Sequence, residues 1–250
     1  MLDLAAIFNE RISVLTERTI GVIGGLGPAA TLDFCSRIMA LTDAQSDQDH
    51  LHVLVDNNPK TPNRNDALLR NGQSPEASLV QSALRLQAAG ADFLVMPCNT
   101  AHAWAEPIRS ACSVPLVHMV EEVVQFIGAQ YPNVKKAGLL AADGCVKADL
   151  YPGLLEALDI QCLLFDVDSQ NKLMATIYDI KSGKSINHTK PEVIRSVERH
   201  VDNGAEVIVA GCTEVPLVIS QRDCSVPLID STEILAKACV RYAQNAAPLP

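Results

Sequence analysis

GADFLVMPCNT, residues 90–100, and GAEVIVAGCTE, residues 204–214, are two copies of one pattern. In each copy an apolar run follows the opening glycine, and a cysteine lies eight residues after that glycine. Runs of this kind are typical of strands buried on both faces of a parallel sheet. The two stretches therefore predict two similar strands that each end at a cysteine, Cys98 in one and Cys212 in the other.

Two further segments recur in the same order. SVPLVHMVEE from Ser113 is echoed by SVPLIDSTEI from Ser225, and IGVIGG from Ile20 has a weaker partner in AGLLAADG from Ala137. The three offsets are 114, 112 and 117 residues. Because three features repeat at nearly one spacing, the sequence indicates two similar halves.

Short apolar runs alternate with helical patterns along the chain, which predicts an α/β fold with parallel sheets flanked by helices. We expect two similar α/β domains related by a pseudo-twofold axis, with the active site in the cleft between them. The predicted first domain comprises residues 1–117 plus 227–250, since the last segment can cross back to complete it. The second comprises residues 118–226. The polar segment 181–189 is predicted to be a mobile loop.

Composition limits the classes of partner. The 250 residues are 48% apolar and carry a formal net charge of −9, which disfavours nucleic acid and anionic membrane as partners. Residues 1–18 contain early acidic residues and lack a small-residue cleavage site, so we predict a short amphipathic helix or an extension rather than a signal peptide. A cytoplasmic location is expected.

Eight cysteines lie in the chain without any C-x-x-C pair, so we expect neither a zinc site nor another metal. Without an export signal a disulfide framework is also not expected. Most free cysteines are small buried hydrophobic residues. Cys98 and Cys212 differ because they stand at equivalent positions of the repeat.

Parallel α/β sheets bind ligands outside the carboxyl ends of their strands. Two halves that face each other would thus bring Cys98 and Cys212 to opposite walls of one cleft. A racemase removes a proton from one face of a carbon and returns one to the other face, and a thiolate–thiol pair suits that task without a pyridoxal cofactor. The neighbouring Asn99, Thr100 and Thr213 supply groups that hold a carboxylate, and Glu214 is a candidate for setting the protonation of Cys212 or for capping its helix.

Four motifs, IGVIGGLGPAAT, NNPKTPNR, MPCNTAH and AGCTEVPLVI, resemble the aspartate racemase branch of the aspartate/glutamate racemase superfamily. The resemblance runs from about Thr19 to Val240. It implies a two-domain α/β fold, a homodimer, and cofactor-independent racemisation of a small acidic amino acid, aspartate or else glutamate.

The resemblance also implies roles for individual residues. Cys98 and Cys212 are the two bases, and Arg64 binds the side-chain carboxylate of the substrate. The α-carboxylate and amino group are bound by Asn99, Thr100 and Thr213.

The chain departs from the family pattern at three positions, Asn63, Asp143 and Cys145. The family often has Asp at the first and Thr at the other two. The negative charge of Asp143 would repel a bound dicarboxylate unless that side chain points away or pairs with a cation. Relatives supply a lysine before the penultimate helix, and here Lys184 and Lys190 are the candidates, with Lys184 the one assigned to substrate binding.

Other interpretations remain open. Gly25-x-Gly27, followed by Asp56 at the end of the second strand, fits the fingerprint of an NAD-dependent oxidoreductase, but Pro28 removes an N–H that would grip phosphate. The glycines are better explained if Gly27 lets the backbone approach a small substrate.

His102 is a candidate third acid–base group or a packing residue. A small-ligand-binding protein without catalysis would also have two halves around a cleft. A cis–trans isomerase of an unsaturated diacid would use two cysteines as well.

Overall fold

The computed structural model describes residues 17–250, so most of the predicted N-terminal helix or extension lies outside the described residues. The described chain forms eight strands and ten α-helices. The strands are β1 (Ile20–Gly24), β2 (Val53–Asn57), β3 (Phe93–Val95), β4 (Leu116–Val117), β5 (Lys136–Leu139), β6 (Gln161–Leu163), β7 (Val207–Ala210) and β8 (Leu228–Asp230). The helices are α1 (Pro28–Leu41), α2 (Arg64–Leu69), α3 (Glu76–Ala88), α4 (Ala105–Ala111), α5 (Met119–Gln130), α6 (Asp143–Lys147), α7 (Pro152–Glu156), α8 (Val167–Lys181), α9 (Ile186–Asp202) and α10 (Ser231–Ala243).

The strands form two four-stranded sheets with the same internal order. The first is β2-β1-β3-β4 and the second is β6-β5-β7-β8, and every pairing is parallel. Each sheet thus places its first strand beside its second and third. The predicted fold class, two similar parallel sheets flanked by helices, is confirmed.

Three of the four central strands are buried along their whole length. All residues of β1, β3 and β7 are buried, as expected for parallel strands covered by helices on both faces. Helix α1 begins with proline at its first turn, where the missing N–H has no helical partner to lose. Helix α10 begins at the Asp230 side chain, which accepts hydrogen bonds from two backbone N–H groups of its first turn.

The helix that follows the fourth strand of each sheet packs on the other half. In α10, Leu235, Cys239 and Tyr242 share a core with Ile20 and Val22 of β1. The α5 residues Val120, Val123 and Ile127 share a core with Ala137 of β5 and Val207 of β7.

Helices α5 and α10 also bond to each other. Buried Glu122 of α5 accepts from the Tyr242 hydroxyl at 2.6 Å and from the Arg241 guanidinium at 2.8 Å. The two halves are therefore joined through a pair of exchanged helices.

Two expectations about segment boundaries need correction. The predicted boundary assigned Leu228–Asp230 to the first half, but these residues pair with β7 in the second sheet, and the return to the first half begins with α10. The segment 181–189 is also not one loop. Lys181 ends α8 and Ile186 begins α9, so only the link 182–185 lies outside helix.

Candidate active site

A small cavity lies where the carboxyl ends of the two sheets face each other. Its volume is about 70 Å³. Both cysteines of the repeat reach it, Cys98 after β3 and Cys212 after β7. The first half lines it with Leu26, Arg64, Cys98, Asn99 and Thr100, and the second half lines it with Tyr178, Lys181, Cys212, Thr213 and Glu214.

The turn after Cys98 is fixed by a buried hydrogen-bond chain that crosses between the halves. Tyr151, at the start of α7, donates its hydroxyl proton to Asn99 Oδ1 at 2.6 Å. Asn99 Nδ2 donates to Ser231 Oγ at 3.1 Å, and that hydroxyl donates to the Ala210 carbonyl at 2.6 Å. Burial raises the pKa of Tyr151 well above its ordinary value, so the phenol keeps the proton that it donates. The Asn99 amide is thus oriented before any substrate arrives.

The turn after Cys212 carries an ionisable group instead. Cys212 Sγ lies 3.0 Å from Glu214 Oε2, and the Thr213 hydroxyl lies 3.4 Å from the same oxygen. Burial and the Glu214 carboxylate raise the pKa of Cys212 well above its ordinary value, while the Lys181 ammonium acts in the opposite direction. Cys212 is therefore a thiol that donates its proton to Glu214 in this geometry.

Lys181 is the cation closest to this chemistry. Its Nζ lies 2.5 Å from Glu214 Oε1, and its side chain is 29% exposed. Burial lowers the pKa of Lys181, but Glu214, Cys212 and Cys98 together raise it above the ordinary value. Lys181 is thus an ammonium that faces both thiols and stabilises whichever of them becomes a thiolate.

Arg64 opens α2 and reaches the cavity from the first half. Its Nη1 donates to the carbonyls of Thr61 and Pro62 at 3.2 and 2.8 Å, and its Nη2 donates to the Leu26 carbonyl at 2.8 Å. A guanidinium has five N–H donors, so two remain for a ligand. The preceding Asn63 caps α2 by accepting from the N–H groups of the first turn.

The glycine-rich turn after β1 packs against the site rather than standing open. A Cβ at Gly25 would collide with the Asn58 backbone, and a Cβ at Gly27 would collide with the Glu214 carboxylate. Asp56, the acidic residue that the dinucleotide-binding interpretation requires, forms an ion pair with Arg85, with 2.5 Å between Oδ2 and Nη2. The absence of a side chain at Gly27 therefore makes room for the Lys181–Glu214 pair.

His102 lies behind the Cys98 turn. Its Nε2 donates to the Met96 carbonyl at 3.1 Å, and the same carbonyl accepts from the Cys98 N–H at 2.8 Å. Burial, aided by neighbouring His118, lowers the pKa of His102 well below its ordinary value, so the ring is neutral. His102 does not line the cavity; it holds the backbone that carries Cys98.

Three other residues considered from the sequence lie apart from the cavity lining. Lys184 pairs with Asp179 at 2.8 Å, and Lys190 pairs with Asp223 at 2.7 Å. Asp143 accepts from the Gln170 amide at 2.7 Å. The structure does not bring Lys184 to the site, and Lys181 stands where a lysine was expected.

Sequence reasoning missed Lys181, Tyr178, Asn65 and Tyr151. The first two are three residues apart at the end of α8, which places them on one helix face. Asn65 lines the cavity and its Oδ1 accepts from the Gly144 N–H of the other half at 2.8 Å. Only the helical spacing of Tyr178 and Lys181 could have been read from the sequence.

Within residues 17–250, no group of three or more His, Cys, Asp or Glu side chains is arranged to hold a metal ion. In the same residues, no helix is both long and apolar enough to traverse a bilayer. All eight cysteines lie in this part of the chain, and all are free thiols.

Two matched α/β halves thus each place one thiol in a shared cavity. The Asp/Glu/Hydantoin racemase family model matches residues 23–239. The chain therefore belongs to the Asp/Glu/hydantoin racemase family. Both the resemblance and the predicted enzyme class, an isomerase, are confirmed.

Individual relatives agree with this assignment. The broad specificity amino-acid racemase RacX of Bacillus subtilis is 30% identical over 227 residues, which cover 88% of this chain and 96% of the relative. The Picrophilus torridus aspartate racemase structure superposes with a TM-score of 0.79 at 29% identity, covering 93% of this chain and 96% of that one. A glutamate racemase isoform from Bacillus anthracis shares the fold, with a TM-score of 0.66 at 17% identity over 94% of this chain and 84% of that one.

Proposed function

We propose that the protein is a cofactor-independent racemase of acidic amino acids, with aspartate as the first candidate substrate and glutamate as the second. One observation carries the proposal: Cys98 and Cys212 end equivalent strands of the two halves and line the same cavity. In this mechanism one cysteine, as a thiolate, removes the α-proton from one face, and the other, as a thiol, returns a proton to the opposite face. The roles exchange when the other enantiomer is the substrate.

The resting protonation of Cys212 fits the donor role. Its raised pKa and its contact with Glu214 keep the proton on sulphur in the ligand-free site. In the direction that needs Cys212 as the base, that proton must leave, and Glu214 is the acceptor already in contact. The Lys181 ammonium compensates the negative charge that then resides on the sulphur or the carboxylate.

The acidic substrate is supported by the cations of the cavity. Arg64 has free donors, and Lys181 stands on the opposite wall, so a second carboxylate finds charge-assisted partners there. The α-carboxylate would bind at the hydroxyls and N–H groups of Thr100 and Thr213. A homodimer and a cytoplasmic location remain expectations from the sequence.

The test uses purified protein without pyridoxal phosphate, nicotinamide or added metal. Incubation of L-aspartate should yield D-aspartate until both enantiomers are equal, as followed by chiral chromatography, with α-deuterium appearing in the product in D₂O. Activity that depended on a supplied pyridoxal or nicotinamide cofactor would contradict the proposal. Ligand binding without turnover would support the binding-protein interpretation instead.

A further inference from the structure

Both thiols are almost closed off from solvent. Cys98 is 9% exposed and Cys212 is 7% exposed, although they line one cavity. An amino acid that binds between them must therefore pass a part of the cavity wall that opens and then closes. Because the two thiols belong to different halves of the molecule, the opening is expected where residues of the two halves meet.

Helix α2 of the first half packs on α6 of the second half, and we call this contact the seam. Across the seam, Asn65 Oδ1 accepts a hydrogen bond from the Gly144 N–H at 2.8 Å. A Cβ at Gly144 would lie 2.7 Å from Asn65 Oδ1, 2.9 Å from Thr100 Cγ2 and 3.1 Å from Leu68 Cδ1, so the missing side chain lets the halves approach this closely. Asn65 and Thr100 both line the cavity, and the seam is therefore part of its wall.

The seam is less firmly packed than the other hydrogen-bonded contact between a cavity-lining residue and the opposite half. In that other contact, Asn99 and its donor Tyr151 are 2% and 0% exposed. Helix α2 has six residues, all of which the structure describes, and none of them is buried. A short element without buried side chains opens at a lower free-energy cost than a buried network does. The seam is therefore where the cavity wall opens most easily.

We propose that the hydrogen bond between Asn65 and Gly144 is a latch: the seam opens to admit the substrate, and the bond re-forms over it. Asn65 is thus a positioning residue, because the latch keeps the two walls, and with them the two thiols, at the separation that proton transfer needs. The latch itself follows from the contacts at the seam. Only its effect on turnover rests on the proposed racemase function.

The latch can be weakened from either half. Asn65→Ala removes the acceptor, and Gly144→Ala leaves Asn65 in place but puts a methyl group between the two helices. Asn57→Ala is the control for the first variant, because Asn57 is exposed at the end of β2 and does not line the cavity. Gly128→Ala is the control for the second, because it adds a methyl group to α5, where the Cβ would lie 3.1 Å from Leu158 Cδ1.

The first measurement is the rate of alkylation of each cysteine by iodoacetamide, resolved by peptide. Loss of one hydrogen bond should raise the population of the open seam by about 2–12-fold. Cys98 and Cys212 should both be alkylated faster by that factor in Asn65→Ala and in Gly144→Ala, because they share the cavity that the seam closes. Cys239, which is 0% exposed in the core beneath α10, reports global unfolding and should keep its wild-type rate, as should all three thiols in the two controls.

The second measurement separates KM from kcat for aspartate racemisation. In Asn65→Ala the closed state is a smaller fraction of the free protein, so KM should rise by about the same 2–12-fold. The kcat should stay near the wild-type value, because saturating substrate holds the seam closed. A residue that only stabilised α2 would not raise the alkylation of a thiol on the opposite wall.

Three outcomes would overturn the inference. Wild-type alkylation rates in both Asn65→Ala and Gly144→Ala would show that the cavity opens elsewhere. Faster alkylation of Cys98 alone would mean that one wall had loosened without opening the shared cavity. An equal acceleration at Cys239 would trace the effect to global unfolding. Wild-type protein without racemase activity whose two cavity thiols still respond to these variants would contradict the proposed function and leave the latch standing.

Discussion

The turn after Cys98 is bonded to the opposite half of the molecule, whereas the turn after Cys212 is bonded to its own half. Asn99 is bonded to Tyr151 of the second half and to Ser231 at the start of α10. Cys212 instead contacts Glu214, two residues further along the same turn. The two strands occupy the same place in their sheets but end in turns of different chemistry. The first turn belongs to a neutral hydrogen-bond network between the halves, and the second carries the Glu214 carboxylate, which forms an ion pair with Lys181 of the same half.

A two-base site requires that each thiol be correctly positioned and correctly protonated, and the two turns serve these two requirements separately. The neutral network ties the position of the first thiol to the docking of the two halves. The ion pair sets the protonation of the second thiol within one half. Substitutions in the two turns should therefore have different consequences.

The largest effects are expected from the thiols themselves. Cys98→Ala and Cys212→Ala should each reduce racemisation by about 10⁴-fold, the upper end of what one acid–base group supplies. Each variant keeps one thiol, so each should still exchange the α-proton of one enantiomer with solvent, and the two variants should prefer opposite enantiomers. Deuterium wash-in followed by NMR measures this preference.

Cys35→Ala is the control, since Cys35 lies on α1 away from the cavity. Near wild-type racemisation by either of the two variants would return that cysteine to a packing role. Wash-in into the same enantiomer by both would break the assignment of the two thiols to opposite faces.

The next largest effect is expected at Arg64. Loss of a charge-assisted pair with the substrate carboxylate costs about 1.5–3 kcal/mol, or about 10–150-fold in kcat/KM. Arg64→Ala should therefore lose activity on aspartate by that factor. Arg70→Ala is the matched control at the C-terminal cap of the same helix, because Arg70 is exposed and pairs with Asp66 across one turn. Equal kinetics for the two variants would remove Arg64 from the substrate site.

How far the sequence predicts this structure depends on whether a feature is local. The repeat correctly predicts two parallel sheets, because buried strands and their order leave a pattern in the chain. The predictions that Lys184 reaches the site and that Leu228–Asp230 belong to the first half were wrong for one reason. Tertiary packing decides where a helix ends and which strands pair. The Asn99 network joins residues from 52 to 132 positions apart, so no local pattern contains it.

Variants of Glu214 and Lys181 test whether their ion pair sets the protonation of Cys212. Burial and Glu214 raise the pKa of Cys212, so Glu214→Gln should lower that pKa and shift thiolate formation to lower pH. Lys181→Met should shift it to higher pH, since the lysine acts in the opposite direction. Peptide-resolved alkylation with iodoacetamide across a pH series measures both shifts, with about a tenfold rate change for each unit of pKa at pH values below it.

The Cys98 peptide supplies the internal reference in the same digest. Shifts of Cys212 in the stated directions with a smaller response at Cys98 would sharpen the difference between the two turns. Identical pH profiles for Cys212 in both variants and the wild type would contradict a role of the ion pair in its protonation.

The smallest effect is expected from the neutral network, and it should appear as stability before it appears as activity. Tyr151→Phe removes the donor to Asn99 Oδ1 and leaves a buried amide oxygen unpaired, which costs about 1–3 kcal/mol in the free energy of unfolding. Tyr131→Phe, at the partly exposed end of α5, is the control and should stay within about 0.5 kcal/mol of the wild type. Urea denaturation measures both.

Since Asn99 follows Cys98 and not Cys212, the loosened turn should slow proton transfer at Cys98 alone. The primary deuterium isotope effect should then rise in the direction for which Cys98 is the base and stay unchanged in the other. An equal rise in both directions would mean that the network holds the whole cavity, and the contrast between the two turns would fail.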